Sequence, residues 1–335
     1  EQHACVALFA ISENDIEKLN SFRQKLSSLA LMFATQEAMN KVLDKKYTYD
    51  IAKNIGIDCP ESWQISEIAE LDGVKEEINF PVVLKWRNPQ NVISRLQQHQ
   101  VEFIKTEYAE NFIELKEKLS KYSLMGEFPL FQAYCHGSGL GQFFLIHQGK
   151  VIQRFQHQRL HEWPPEGGTS TLCKSLDNNQ HKALLDKSAA LLVEMGWEGV
   201  AMVEYRYDSK ADKALLMEIN GRFWGSFPLA YYANANFAWL LFCYKGLNRV
   251  APTSIIKSNV YCIFGIPELR RLIRVFFQPK CISDKFYKNT PIKDLLLIIY
   301  VLVHPRGKCF VFSWTDPRPF ITDVKQAFKK AIGKA

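Results

Sequence analysis

The sequence predicts an α+β chain of two or three subdomains, and three observations carry that expectation. Strand-like and helix-like stretches alternate along most of the 335 residues, with no low-complexity tract and no fixed-period repeat. Residues 4–28 read as one strand followed by one amphipathic helix, the last unit of an α/β domain. From about residue 250 the pattern becomes mainly helical. A composition of 47% hydrophobic and 13% aromatic residues is enough to build a core in each part.

Taken in order, residues 4–10 are a buried strand, and Ile16, Leu19, Phe22 and Leu26 recur at helical spacing behind Ser12 and Glu13. The chain opens on that strand without an initiator Met, as a fragment of a longer protein would. Its start lacks the basic segment of a signal peptide. A helix over 44–55 is capped by Asp44 and stopped by Gly56, and Pro60 marks an extended exit. Residues 80–86 form a strand with Lys85 at its far end. A turn over 88–91, a short strand over 101–106 and a polar helix over 108–121 follow. Residues 130–135 are another strand, and Gly137, Gly139 and Gly141 lead into a hairpin over 142–156. Pro164, Pro165, Gly167 and Gly168 make 160–171 a loop. Residues 180–195 give an amphipathic helix ended by Gly196, and 228–244 a mostly apolar one. Helices are expected over 269–277, 292–303 and 323–330, the last entered by a rigid turn over 314–319.

A net charge of +7 suits an anionic ligand such as a nucleotide, or an anionic membrane surface; because Lys and Arg are scattered, no nucleic-acid footprint is indicated. Eight widely spaced cysteines, with no C-x-x-C pair, exclude zinc-site spacing, and most of them read as buried small hydrophobes of a reducing cytosol. A cytoplasmic protein is expected. The longest apolar run, 295–303, is too short to span a bilayer. Arg270, Arg271, Arg274 and Lys280 lie beside apolar stretches, which leaves two readings of the C-terminal third: core packing, or peripheral membrane contact.

The most informative stretch runs from Gly199 to Arg222. Two strand-like arms flank a polar loop, and a hairpin centred on Ala211 sets Glu204 opposite Glu218. With a period of two, Arg206, Asn220 and Arg222 share the face of those carboxylates. Like charges directly opposite destabilise a sheet, so a cation should sit between them, and a hard divalent ion with oxygen ligands fits best. The alternative is an exposed hairpin with solvated charges; Met202, Val203, Leu215, Leu216 and Ile219 argue for buried surroundings.

Several features then stand together in order: Asp44-Lys45; Pro81 to Lys85; Gln132-Ala133-Tyr134; Glu204; and Glu218-Ile219-Asn220-Gly221-Arg222-Phe223-Trp224-Gly225-Ser226. Over residues 1–247 the chain resembles the ATP-grasp superfamily, in particular its carboxylate–amine ligase-like branch. The resemblance implies an ATP-grasp fold, two α+β subdomains clasping ATP. Residues 1–40 would be the end of a Rossmann-like front domain, 41–247 the ATP-grasp domain with its lid at about 80–135, and 248–335 a mainly helical extension.

It also implies roles. Glu204, Glu218 and Asn220 are similar to the family's metal ligands, which hold one or two Mg²⁺, with Mn²⁺ as the alternative ion. Lys85 resembles the lysine that reaches the nucleotide phosphates. Gln132, Ala133, Tyr134 and Cys135 correspond to the hinge whose backbone reads adenine, although Ala133 stands where the family has Glu. Arg222 resembles the arginine that anchors the carboxylate and stabilises the acyl phosphate, with Arg206 assisting or forming a cross-strand ion pair. Arg159, in the segment His157-Gln158-Arg159-Leu160-His161-Glu162, resembles one that faces the phosphates, and Gly168 can offer its amide to an anion. His157 and His161 are proton-carrier candidates or structural residues. The implied reaction joins a small-molecule carboxylate to an amine with release of ADP and phosphate, the acceptor being an amino acid or sugar acid. A kinase acting on a hydroxyl and a silent nucleotide-binding module are the alternatives. Relatives are commonly dimers, so a homodimer is open.

Overall fold

The computed structural model describes residues 5–86, 89–104 and 106–331. Ala4, Asn88 at the head of the expected turn, and Lys105 within the expected 101–106 strand lie outside them.

The chain begins with a parallel pair, β1 (Ala7–Leu8) and β2 (Ala30–Leu31), joined through helix α1 (Glu13–Ser21). The Ser12 hydroxyl caps α1, accepting from the Asp15 amide at 3.1 Å. Helices α2 (Gln36–Leu43) and α3 (Lys45–Asn54) follow, and Asp44 caps α3 by accepting from the amides of Lys46 and Tyr47.

A four-stranded antiparallel sheet comes next, in the order β3 (Ser62–Trp63), β6 (Leu130–Ala133), β4 (Val82–Lys85), β5 (Glu107–Ala109). Helices α4 (Glu70–Gly73), α5 (Pro89–Gln98) and α6 (Phe112–Ser120) close a separate core with it, built on Leu84, Leu96, Leu115, Leu119 and Phe131. Its first strand, Ser62–Trp63, lies upstream of the 80–135 stretch.

The largest sheet has seven strands in the order β11-β10-β7-β8-β9-β12-β13. These are β7 (Ser138–His147), β8 (Lys150–Trp163), β9 (Thr169–Ser175), β10 (Gly199–Asp208), β11 (Lys213–Asn220), β12 (Tyr261–Ile263) and β13 (Gly307–Cys309). All pairs are antiparallel except β12 with β13. Strand β7 is buried on both faces, so its apolar residues run almost unbroken. Leu140, Phe144 and Ile146 join a core formed with α2, α3 and α7 (Lys182–Glu194). Phe143 and Leu145 join a second core on the opposite face, with α8 (Phe227–Tyr232) and α9 (Phe237–Leu241). The C-terminal part adds α10 (Gly265–Phe277), α11 (Pro291–Val303) and α12 (Arg318–Ala331).

Several local expectations need correction. Pro89 opens α5 rather than lying in a turn, because its fixed φ and missing amide suit a first helical turn, with Val92 and Leu96 buried behind it. No strand forms over 101–104; the strand is Glu107–Ala109, drawn into pairing by Val82–Leu84, and this delays α6 until Asn111 caps it. The 160–171 loop shrinks to residues 164–168, because β8 continues to Trp163 through two irregularities and β9 begins at Thr169. The single apolar helix over 228–244 is broken at Asn234, whose φ of 68° is left-handed. Helix α2, capped by Thr35, went unread, as did β12 and β13, through which the extension enters the central sheet.

Candidate active site

Strands β10 and β11 set the geometry. Glu204 pairs directly with Glu218, as the hairpin arithmetic requires, although the strand ends nearest the loop pair one residue out of that register. The difference is absorbed by a bulge beside Glu204, which leaves Met217 without a cross-strand partner. Met217 and Glu218, neighbours in sequence, therefore both line the same cleft. The cleft has a volume of about 380 Å³ and lies between this sheet and the four-stranded one. The residues given metal, nucleotide or catalytic roles above line it: Lys85, Gln132, Ala133, Tyr134, Cys135, Arg159, Gly168, Glu204, Arg206, Glu218, Asn220 and Arg222, whereas the candidate proton carriers His157 and His161 do not.

The two facing carboxylates differ electrostatically. Burial pushes the Glu204 carboxyl above its ordinary value, with Arg159 opposing and Glu218 adding to the shift. For Glu218 burial also pushes upward, but Lys45, the Asn220 amide and Lys85 outweigh it and hold the carboxyl low. The cation expected between the carboxylates is partly supplied by the protein. Arg159 from β8 forms a close ion pair with Glu204, lies 3.6 Å from Glu162, and donates to the Gly168 carbonyl at 3.3 Å. Burial alone would lower the Arg159 value; Glu204 and Glu162 outweigh it, so the guanidinium stays charged.

Asn220 donates to Glu218 at 3.0 Å and accepts from Arg222 at 3.1 Å. Arg222 also donates to Glu13 of α1 at 3.0 Å and to the Phe223 carbonyl, which ties the hairpin to the front of the chain. Arg206 donates to the Gly137 carbonyl and to Glu162, each at 3.3 Å; its ion pair thus runs to β8 and not across the hairpin. Lys85 enters from the four-stranded sheet and makes no hydrogen bond or ion pair among the described residues. Burial and neighbouring Lys45 bring its ammonium down to about 8.

At the hinge, the amides of Ala133 and Tyr134 are engaged by the carbonyls of Glu61 and Pro81. The Ala133 carbonyl accepts from the Cys135 thiol at 3.4 Å. Gln132 donates to Tyr49 and Ser62, and Tyr49 in turn donates to the Met217 carbonyl, so α3 braces hinge and hairpin together. The glycine-rich loop is less open than the sequence suggests. The Gly167 amide bonds the Pro164 carbonyl and the Gly168 amide bonds Glu162. His157 is buried, kept well below its ordinary value first by burial and then by Arg159, and meets Ser226. His161 bonds Glu268 at 2.7 Å, facing the extension. Neither histidine lines the cleft.

Sequence reasoning missed Asp284. The segment 283–286 of the extension crosses to the cleft, where Asp284 accepts from the Tyr134 hydroxyl at 2.8 Å and Phe286 packs against the Tyr134 ring. Nothing in the local sequence signals this contact between residues 150 positions apart. Tyr108, whose hydroxyl donates to the Glu166 carbonyl, was also unread.

Two features point to a polar ligand. Gln132 Oε1, Arg159 Nε, Glu166 Oε2 and Trp224 Nε1 are buried cleft atoms without a partner among the described residues, and such atoms are costly unless something meets them. One oxygen each of Glu204 and Glu218 makes no hydrogen bond among the described residues. Two carboxylates with an amide oxygen suit a hard cation that takes few protein ligands, although no group of three or more His, Cys, Asp or Glu able to hold an ion occurs among the described residues.

No protein-family model and no curated protein matches the chain. Among solved structures it is similar to biotin carboxylase from Campylobacter jejuni as a β-γ-ATP complex (TM-score 0.60, 15% identity, covering 76% of this chain and 57% of that one). It is similar to the biotin carboxylase domain dimer of Hydrogenobacter thermophilus 2-oxoglutarate carboxylase, solved with MgADP, ADP and bicarbonate (0.55, 14%, 72% and 54%). A third is carboxyaminoimidazole ribonucleotide synthase from Aspergillus clavatus complexed with ATP (0.52, 15%, 72% and 61%). The chain thus spans between 54% and 61% of the length of these neighbours, and the likeness is one of fold.

Proposed function

We propose that this chain, whose fold is that of the ATP-grasp superfamily, binds ATP between its two main sheets and passes the γ-phosphoryl group to a small-molecule carboxylate. An amine then attacks the resulting acyl phosphate, the C–O bond to phosphate breaks, and ADP and phosphate leave with the amide product. On this reading residues 41–247 are the ATP-grasp domain with its lid near 80–135, 1–40 close a front domain, and 248–335 are an extension.

The observation that carries the proposal is the pair Glu204 and Glu218 on one cleft wall, with Lys85 on the opposite sheet. Phosphoryl transfer depends on positioning and charge neutralisation, and this arrangement supplies both. Glu204, Glu218 and Asn220 would hold a divalent ion, Mg²⁺ or Mn²⁺, which when bound neutralises phosphate oxygens. Lys85, which has no hydrogen bond or ion pair among the described residues, lines the cleft where a phosphate could meet it. Arg159, fixed by Glu204, lines the cleft, and its buried Nε–H has no partner among the described residues. Arg222 is oriented by Glu13 and Asn220 at the mouth, where its fork suits a carboxylate. The Ala133 carbonyl and the orphaned Gln132 oxygen can accept from an adenine amine.

The test is ADP release from Mg·ATP against a panel of amino acids and uronic acids, each with and without added amines. Turnover that needs both a carboxylate and an amine supports the ligase. Turnover with a hydroxyl acceptor alone would replace it with a kinase, and ATP binding without turnover on any substrate with a silent module.

A further inference from the structure

Helices α10 and α11 carry apolar residues on both sides. Toward the sheet they bury Val275, Ile298 and Val301 and, beside them, charge. His161 bonds Glu268 at 2.7 Å, Arg271 donates to Glu268 at 3.3 Å and to Asp294 at 2.5 Å, and Tyr287 receives a further bond from Arg271. Away from the sheet they expose apolar side chains. Ile273 and Phe277 of α10, and Leu296, Ile299, Leu302 and Val303 of α11, are all between 46% and 79% exposed. At 100° per residue these fall in one stripe on each helix, opposite the buried residues. A helix whose outer side meets only water is polar there.

Within residues 265–310 the exposed charge is of one sign. From residue 265 to 310 the acidic residues are Glu268, Asp284 and Asp294, and all three are buried. Arg270, Lys280, Lys288, Lys293, Arg306 and Lys308 are exposed. Arg270 and Lys293 each sit one position, hence 100°, beyond an exposed apolar residue, Leu269 and Ile292, so each stripe has a cationic border.

We propose that α10 and α11 form a docking surface for an anionic lipid bilayer, lying in its interface with the apolar stripes in the acyl boundary and the basic border among the headgroups. No described helix is long and apolar enough to cross a membrane, so the contact is peripheral. A second copy is a poor occupant, since a two-fold interface would set this basic border against itself. The buried ion network gives the face its rigidity by fixing both helices to β8. The proposal stands apart from the reaction in the cleft and does not depend on it.

The test is co-sedimentation of the full chain with phosphatidylserine–phosphatidylcholine vesicles, about 3:7, and with phosphatidylcholine alone, at about 0.05 M and about 0.5 M salt. Binding to the anionic vesicles that weakens at high salt, and is at least about tenfold weaker for Arg270→Gln with Lys293→Gln, is expected. Phe277→Asp with Leu296→Asp should abolish it while leaving the circular dichroism unchanged. If that variant does not fold, the basic pair and the salt series decide alone. Equal binding to phosphatidylcholine, no binding at low salt, or a concentration-dependent dimer that the apolar variant disrupts would each overturn the proposal.

Discussion

Lys85 makes the cleft sensitive to mild alkali. Burial and Lys45 bring its ammonium from 10.5 down to about 8. A phosphate binds the charged form, so the contribution is nearly complete at about pH 7, halved at about 8 and lost as pH rises further. Between about pH 7 and about pH 9 the protonated fraction falls from about 0.9 to about 0.1, a tenfold loss of nucleotide affinity or ~1.4 kcal/mol. Folding responds with the opposite sign. The unfolded chain keeps Lys85 protonated up to 10.5, so between about 8 and 10.5 it binds more protons than the folded one, and stability from this site rises with pH across that window. The perturbation is Lys85→Met. The assays are calorimetric titration of ATP at pH 7 and 9, and urea unfolding across the alkaline range. The variant should bind weakly at both pH values and lose the alkaline gain in stability. A variant whose ATP affinity falls with pH as steeply as that of the parent would refute the assignment.

Glu218→Gln should abolish Mg·ATP-dependent ADP release with the thermal unfolding midpoint nearly unchanged; retained turnover would remove Glu218 from the ion site. Arg159→Met leaves Glu204 buried without its counter-ion and should cost about 3–5 kcal/mol, most of it recovered by adding Glu204→Gln, as a double-mutant cycle in urea would measure. Asp284→Leu removes the acceptor of the half-buried Tyr134 hydroxyl and should cost about 1 kcal/mol, reduced in the background of Tyr134→Phe; an unchanged midpoint would show that the contact contributes nothing. Gly137 has φ of 103°, and a Cβ there would meet the Tyr207 carbonyl oxygen at 2.1 Å, so Gly137→Ala should cost about 2 kcal/mol by the same measurement.

What could be read in advance follows the range of the forces involved. The Glu204–Glu218 pairing was legible because strand period and loop composition act over about twenty residues, although the compensating bulge at Met217 was not. Capping by Ser12 and Asp44 was legible for the same reason. Helix 228–244 failed at Asn234, where a left-handed turn lets Ala235 bond back to Ala230, a choice that apolar periodicity does not encode. Arg159 was recognised as a cleft residue, but its engagement by Glu204 depends on β7 lying between β8 and β10 in the sheet. Asp284 was beyond reach altogether, since only the packing of the extension brings it to Tyr134.

That packing has a mechanical consequence. Segment 283–286 grips both sides of the cleft: Asp284 holds Tyr134 below the four-stranded sheet, Lys285 pairs with Glu110 beyond β5 at 2.6 Å, and Ser283 donates to Glu166 on the opposite side. A swing of the four-stranded sheet away from the larger one would have to break these bonds together with that between Tyr108 and Glu166. Segment 283–286 thus ties the two walls of the cleft to each other. Separation of the cleft walls is thereby coupled to the packing of the C-terminal extension, which contributes none of Lys85, Glu204 or Glu218.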